Sequence, residues 1–98
     1  MTRGPAVMKT LPEQVVAYQR TPEFTAATVP AGLLKAHSTK PGVWGTLVVL
    51  EGALTYRILE PTPSERRLTP GHPGVIEPTV LHEVVPEPAV RFYVEFHR

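Results

Sequence analysis

Four histidines, His37, His72, His82 and His97, and nine carboxylates, all glutamate, are the residues of this chain whose types suit acid–base or metal chemistry. Their settings separate them. His72 lies inside Pro-Gly-His-Pro-Gly, a turn, and His97 is the penultimate residue, where chains commonly fray; both read as non-functional. His37 opens the polar run His-Ser-Thr-Lys-Pro-Gly-Val-Trp-Gly, and His82 follows Pro-Thr-Val-Leu at the start of an apolar stretch. Both sit at the ends of elements, where side chains converge on the mouth of a barrel. A neutral imidazole is a good ligand for zinc, iron, nickel or copper, and a carboxylate completes such a set. Glu77 (in Val-Ile-Glu-Pro) and Glu95 (in Tyr-Val-Glu-Phe) are the carboxylates embedded in apolar strands. If Phe92, Val94 and Phe96 face the core, Glu95 points to water; in a barrel built around a ligand the polar face turns inward instead. Alternation alone does not choose between them.

Several chemistries are excluded. With no cysteine there is no disulfide framework, thiolate zinc site or cysteine nucleophile. Glycine-rich nucleotide loops, nucleophile elbows and HExxH helices are absent from the sequence. Ser38 and Thr39 adjoin His37, but neighbouring side chains of extended backbone point apart, so no serine–histidine pair forms there. The net charge of +1 and the scattering of basic residues, with Arg66-Arg67 the one adjacent pair, argue against nucleic-acid binding. No apolar run reaches bilayer-spanning length, and the opening MTRGPAVMKT lacks the apolar core of a secretion signal. A soluble cytoplasmic protein is expected.

The elements that must position these residues are short. Twelve prolines, spread through 98 residues, leave few places for a helix. After a loose lead-in over residues 1–12, the β-prone stretch 14–20 is followed by an extended piece over 24–29. Residues 31–36 are ambiguous and weakly favour a strand. The runs WGTLVVL and ALTYRIL, separated by Glu51-Gly52, predict a β-hairpin, glycine supplying the positive φ of the turn. Residues 60–64 form a loop. Further strands are expected over 66–69, 74–77, 82–85 and 89–97, the last with Val90, Phe92, Val94 and Phe96 on one face. Many short strands and no convincing helix predict an all-β fold, a single jelly-roll barrel domain over residues 1–98.

The blocks HSTKPGVWG, LEG, EPTVLH and FYVEF occur in order along residues 37–96. With them the chain from about Leu11 onward resembles a small cupin-like domain family of unknown function, related to the N-terminal domain of tellurite-resistance methyltransferases. The resemblance implies a cupin-type barrel, often metal-bearing, with no settled reaction. His37 falls in the first histidine block of that pattern and His82 in the second; Glu95 belongs to the closing VEF motif and Glu77 to the EP motif. The first block departs from the general cupin pattern, since Thr39 and Lys40 stand where a second histidine is usual. Glu95 or Glu77 would then complete the ligand set.

Three functions compete. In the first, His37, His82 and Glu95, with Glu77 in reserve, hold a divalent zinc, iron or nickel ion. That ion serves an enzyme or a small-molecule binder linked to stress or tellurite resistance, with Lys40 and Trp44 at the pocket rim. In the second, the pocket senses a ligand without metal. In the third, the domain is an interaction module, pairing into a homodimer through the edge segment 14–20.

Overall fold

The computed structural model describes residues 10–98, so most of the expected lead-in lies outside the described residues. The elements run β1 (Ala17–Arg20), β2 (Phe24–Thr25), a 3-10 turn (Ala31–Leu33), β3 (Trp44–Glu51), β4 (Leu54–Glu60), β5 (Ser64–Leu68), β6 (Gly74–Ile76), β7 (Leu81–Pro86) and β8 (Arg91–His97). The expected all-β character holds. Residues 31–36 form no strand; the 3-10 turn after Pro30 stands there instead.

Two antiparallel sheets result. The larger has the order β1-β8-β3-β6, with β2 also paired to β8; the smaller has the order β5-β4-β7. Period-two alternation builds the interior. Gly45, Leu47 and Val49 of β3 are buried, as are Phe92 and Val94 of β8, while the residues between them are only partly covered. Leu54 and Tyr56 of β4, Leu68 of β5 and Val84 of β7 supply the other wall of the same core. Phe24 packs edge-on against Phe92, ring centroids 5.7 Å apart, and caps one side of that core.

The expected hairpin between β3 and β4 does not form. β3 pairs with β6 and β8, whereas β4 pairs with β5 and β7, so the chain changes sheets at Glu51-Gly52. Gly52 does adopt φ +70°, as the turn signal requires. Both flanking runs carry a full apolar face, and crossing between sheets lets each face bury against the other. The hairpin lies one strand later: β4 and β5 pair from Leu54↔Leu68 to Ile58↔Ser64, around a proline-rich loop.

Glutamate–arginine pairs line the outer surfaces. Arg57 reaches Glu65 on one neighbouring strand and Glu83 on the other, its register partners on both sides. Arg91 bridges Glu23 and Glu51, and Arg67 grips Glu87 with two nitrogens. Such exposed pairs contribute little to stability. No helix among the described residues is long and apolar enough to cross a membrane.

Candidate functional site

His37 and His82 meet. Their backbones form an isolated antiparallel bridge, each N–H donating to the other's carbonyl, at 2.9 Å from His37 and 2.8 Å from His82. The loop after the 3-10 turn is thereby stitched to the start of β7. The imidazole rings lie edge to face with centroids 4.2 Å apart.

Each ring is held the same way. Nδ1 of His37 lies 3.0 Å from the Lys35 carbonyl, and Nδ1 of His82 lies 2.9 Å from the Val80 carbonyl. A carbonyl only accepts, so each Nδ1 carries the proton and donates it. In a neutral ring that leaves a lone pair on Nε2. No hydrogen bond among the described residues engages either Nε2. His82 is 1% exposed, and its pKa is lowered to about 4. Burial is the main cause, opposed by the bond to Val80 and assisted by the neighbouring His37. His82 is therefore neutral at pH 7.

The loops carrying the pair are themselves fixed. Thr39 donates its hydroxyl to the Val43 carbonyl at 2.8 Å, and Val43 N–H donates to the Lys40 carbonyl at 3.0 Å. With Pro41 inside this turn and Gly42 at φ +81°, residues 40–43 form a type II turn that presents Lys40. Thr79 N–H donates to the Thr39 carbonyl, tying this turn to the approach to His82. Thr79 itself sits at φ +63°, a costly conformation for a β-branched residue, and it persists where the strand is redirected toward the site.

The pair opens onto a pocket of about 360 Å³ between the sheets. Its walls are largely apolar: Leu33, Val43, Leu47, Ile76, Val84, Val94 and Phe96, with Tyr18 and Gln19 of β1 on one side. His37, His82, Ser38, Thr39 and Lys40 supply the remaining polar lining. No carboxylate is among these lining residues. Beneath the pair, the Tyr56 ring lies against His82 with centroids 5.3 Å apart, and its hydroxyl is buried without a hydrogen-bond partner among the described residues. Burial, and secondarily the charge of Glu77, pushes that phenol above its ordinary range, so it stays protonated.

Of the residues expected at the site, the fold brings together His37, His82 and Lys40. Glu95 does not join them. β8 turns Phe92 and Val94 into the core, which puts Glu95 on the outer face, where its Oε2 accepts from Arg20 Nε at 3.1 Å and Nη2 at 3.0 Å. Trp44 shares the parity of Thr46 on β3, opposite the buried Gly45 and Leu47, and is not part of the pocket lining. Glu77 lies just beyond β6, half-buried, and is also outside the lining. No cluster of three or more histidine, cysteine or acidic side chains suited to a metal occurs among the described residues.

His97 is not frayed. It is 8% exposed, within 3.3 Å of the Thr46 hydroxyl and 4.0 Å of Glu95, and Val16, just before β1, holds Arg98 through paired backbone bonds. His72 stays an exposed turn residue, as expected, its N–H bonded to the Thr69 carbonyl. The apolar pocket residues carried no signal beyond strand alternation, since lining a pocket and filling a core demand the same residue types.

Residues 19–94 match the TehB-like domain family. A probable S-adenosyl-L-methionine-dependent methyltransferase, TehB of Haemophilus influenzae, is 32% identical over 75 residues, which cover 72% of this chain and 26% of that protein. The crystal structure of TehB from Haemophilus influenzae superposes with a TM-score of 0.79 at 28% identity, over 87% of this chain and 32% of that one. A crystal structure of a protein from Escherichia coli strain K12 superposes with a TM-score of 0.83 at 26% identity, over 93% of this chain and 97% of that one. The chain thus spans about a quarter of the curated relative, and nearly the whole of the Escherichia coli protein.

Proposed function

Since this chain belongs to the TehB-like domain family, we propose that it is a cupin-type pocket domain whose His37 and His82 hold a divalent metal ion. One observation carries the reading: both imidazoles donate Nδ1–H to a backbone carbonyl, leaving two neighbouring Nε2 lone pairs unengaged by any described residue. Metal-ligating histidines are oriented in this way. Neutral His82 needs no deprotonation before binding at pH 7. The donor chemistry suits zinc, iron or nickel, and such an ion would act as a Lewis acid toward a bound ligand. Glu95 is left out of the set, because it is engaged by Arg20 on the other side of β8. Two protein donors leave the remaining positions to water or to a ligand in the pocket. The switching of the chain between two facing sheets supports the jelly-roll form of the fold.

Likeness to TehB supports a link to tellurite resistance or a related stress response. Methyl transfer is not part of the reading, because the matched residues are 26% of that protein and these 98 residues contain no glycine-rich loop for a methyl donor. A second reading, a ligand pocket without metal, draws on the absence of a carboxylate from the lining. In both readings the domain works in the cytoplasm. β1, exposed along its length at the edge of the larger sheet, is the edge through which a homodimer would pair.

Calorimetric titration of chelator-stripped protein with zinc, nickel or anaerobic ferrous iron tests the metal reading. The expected result is one ion per chain and a raised melting temperature, both lost in His37→Gln, a half-buried loop position that leaves the strands intact. If none of the three ions binds or shifts melting, the metal reading fails and the metal-free pocket remains.

A further inference from the structure

We infer that the pocket takes a small organic anion, its apolar body between the two sheets and its charged end beside Lys40 and the imidazole pair. This rests on the pocket being the functional site and names its ligand class, but it does not require the metal.

Charge is the first argument. Lys40 is the one lysine or arginine of the lining, and no lining carboxylate offsets it. Four arginines elsewhere on the surface are matched with glutamates, Arg20 with Glu95, Arg57 with Glu83, Arg67 with Glu87 and Arg91 with Glu51, while Arg98 lies over the ring of Tyr18. Lys40 has no carboxylate partner among the described residues. The type II turn fixes where that ammonium starts from, because Pro41 and Gly42 set the backbone around it.

The second argument is the wall. Leu47, Ile76, Val84, Val94 and Phe96 surround the space, so the body that fills it is apolar. At about 360 Å³ the pocket is at the small end of the roughly 300–1,000 Å³ of ordinary small-molecule sites. A bare inorganic oxyanion would leave those walls uncovered. An amine would face Lys40 with no counter-charge. A neutral alcohol would gain the walls and the imidazoles but not the ion pair. If a metal is present, two neutral imidazoles leave its charge uncompensated, so metal and organic anion tighten each other's binding, reciprocally.

The test uses sets of carboxylic acid, alcohol and amine built on isobutyl, phenyl and naphthyl bodies, with acetate and phosphate as heads lacking a body. Binding is read by nitrogen-15 amide shift perturbation at pH 7.5, which detects millimolar affinities, on chelator-stripped and on zinc-loaded protein. On at least one body the acid is expected to bind at least tenfold tighter than its alcohol, with no amine binding and with acetate and phosphate at least tenfold weaker. Lys40→Gln, an exposed turn position, abolishes the preference of acid over alcohol while alcohol binding persists; Lys35→Gln, outside the lining, leaves the preference intact. The inference is overturned if no acid perturbs the pocket in either form, if acetate or an amine matches the acid, or if the preference survives Lys40→Gln. Zinc titration without any probe reports the imidazole pair alone. Zinc binding without anion selectivity sinks only this inference, and anion selectivity in stripped protein stands without the metal reading.

Discussion

A histidine held neutral in a nearly closed environment ties the stability of this protein to pH. His82 has a folded-state pKa of about 4, below the ordinary value of 6.5. Between those values the unfolded chain binds a proton that the folded chain refuses, so stability rises with pH across that window. The contribution is fully present above about pH 6.5 and is lost progressively as pH falls toward 4. By the size of the shift it is on the order of 3 kcal/mol. Urea unfolding at pH 7.5 and pH 4.5 is expected to show this loss in the wild type and a much shallower one in His82→Gln. An unchanged pH slope in the variant would assign the effect to other groups. The same residue scale explains the setting of Glu95: the face of β8 that turns inward leaves it on the other side, where Arg20 is its partner.

At the scale of elements, Gly52 shows what a turn signal means. Its φ of +70° is what the Glu-Gly pair predicts, yet the strands it joins lie in different sheets. A Cβ at this position would meet the Ala89 carbonyl carbon and oxygen at 2.8 Å and Val90 N at 2.9 Å, backbone atoms of the corner that leads into β8. Gly52→Ala is expected to destabilise by about 2 kcal/mol or more, from strain at positive φ together with this clash. Gly32→Ala, where the added carbon meets nothing within 4 Å, is expected to leave stability within about 0.5 kcal/mol. Equal costs at the two glycines in denaturant titrations would contradict the close approach. Thr79 belongs to the same class of feature: a strained corner whose N–H anchors the Lys40 turn to the strand bearing His82.

For the molecule as a whole, the two sheets have no separate interiors. Leu47, Val49 and Phe92 from one sheet and Leu54, Tyr56 and Val84 from the other form one cluster. Neither sheet retains a buried apolar face without its partner, so the two are expected to unfold together. Trp44, the single tryptophan, reports the larger sheet by fluorescence, and far-ultraviolet circular dichroism reports both. Their urea transitions should coincide. A fluorescence transition displaced from the dichroism transition would show that the sheets come apart independently. The pocket lies between the two sheets, so a bound ligand should move both transitions equally.

How much was legible from the residues alone follows from the range of the forces involved. The strands over 44–50, 53–59, 74–77 and 82–85, the apolar face of β8 and the turns at Gly52 and Gly71 are local matters of alternation and positive φ, and they were readable; the extended piece over 24–29 is a strand only at Phe24–Thr25, and Ser64, expected in a loop, begins β5. His37 and His82 were each singled out by standing at element ends, but that their rings meet was decided by the tertiary structure. Sheet membership was not: a turn dictates that the chain reverses, and only the burial of two apolar faces against each other decides that β3 and β4 part. Nor was the inward face of β8, which decides Glu95, or the return of β1 across the C-terminal strand, which buries His97. Those outcomes depend on contacts between residues distant in the sequence, as in Arg20 with Glu95, 75 residues apart, which no local pattern encodes.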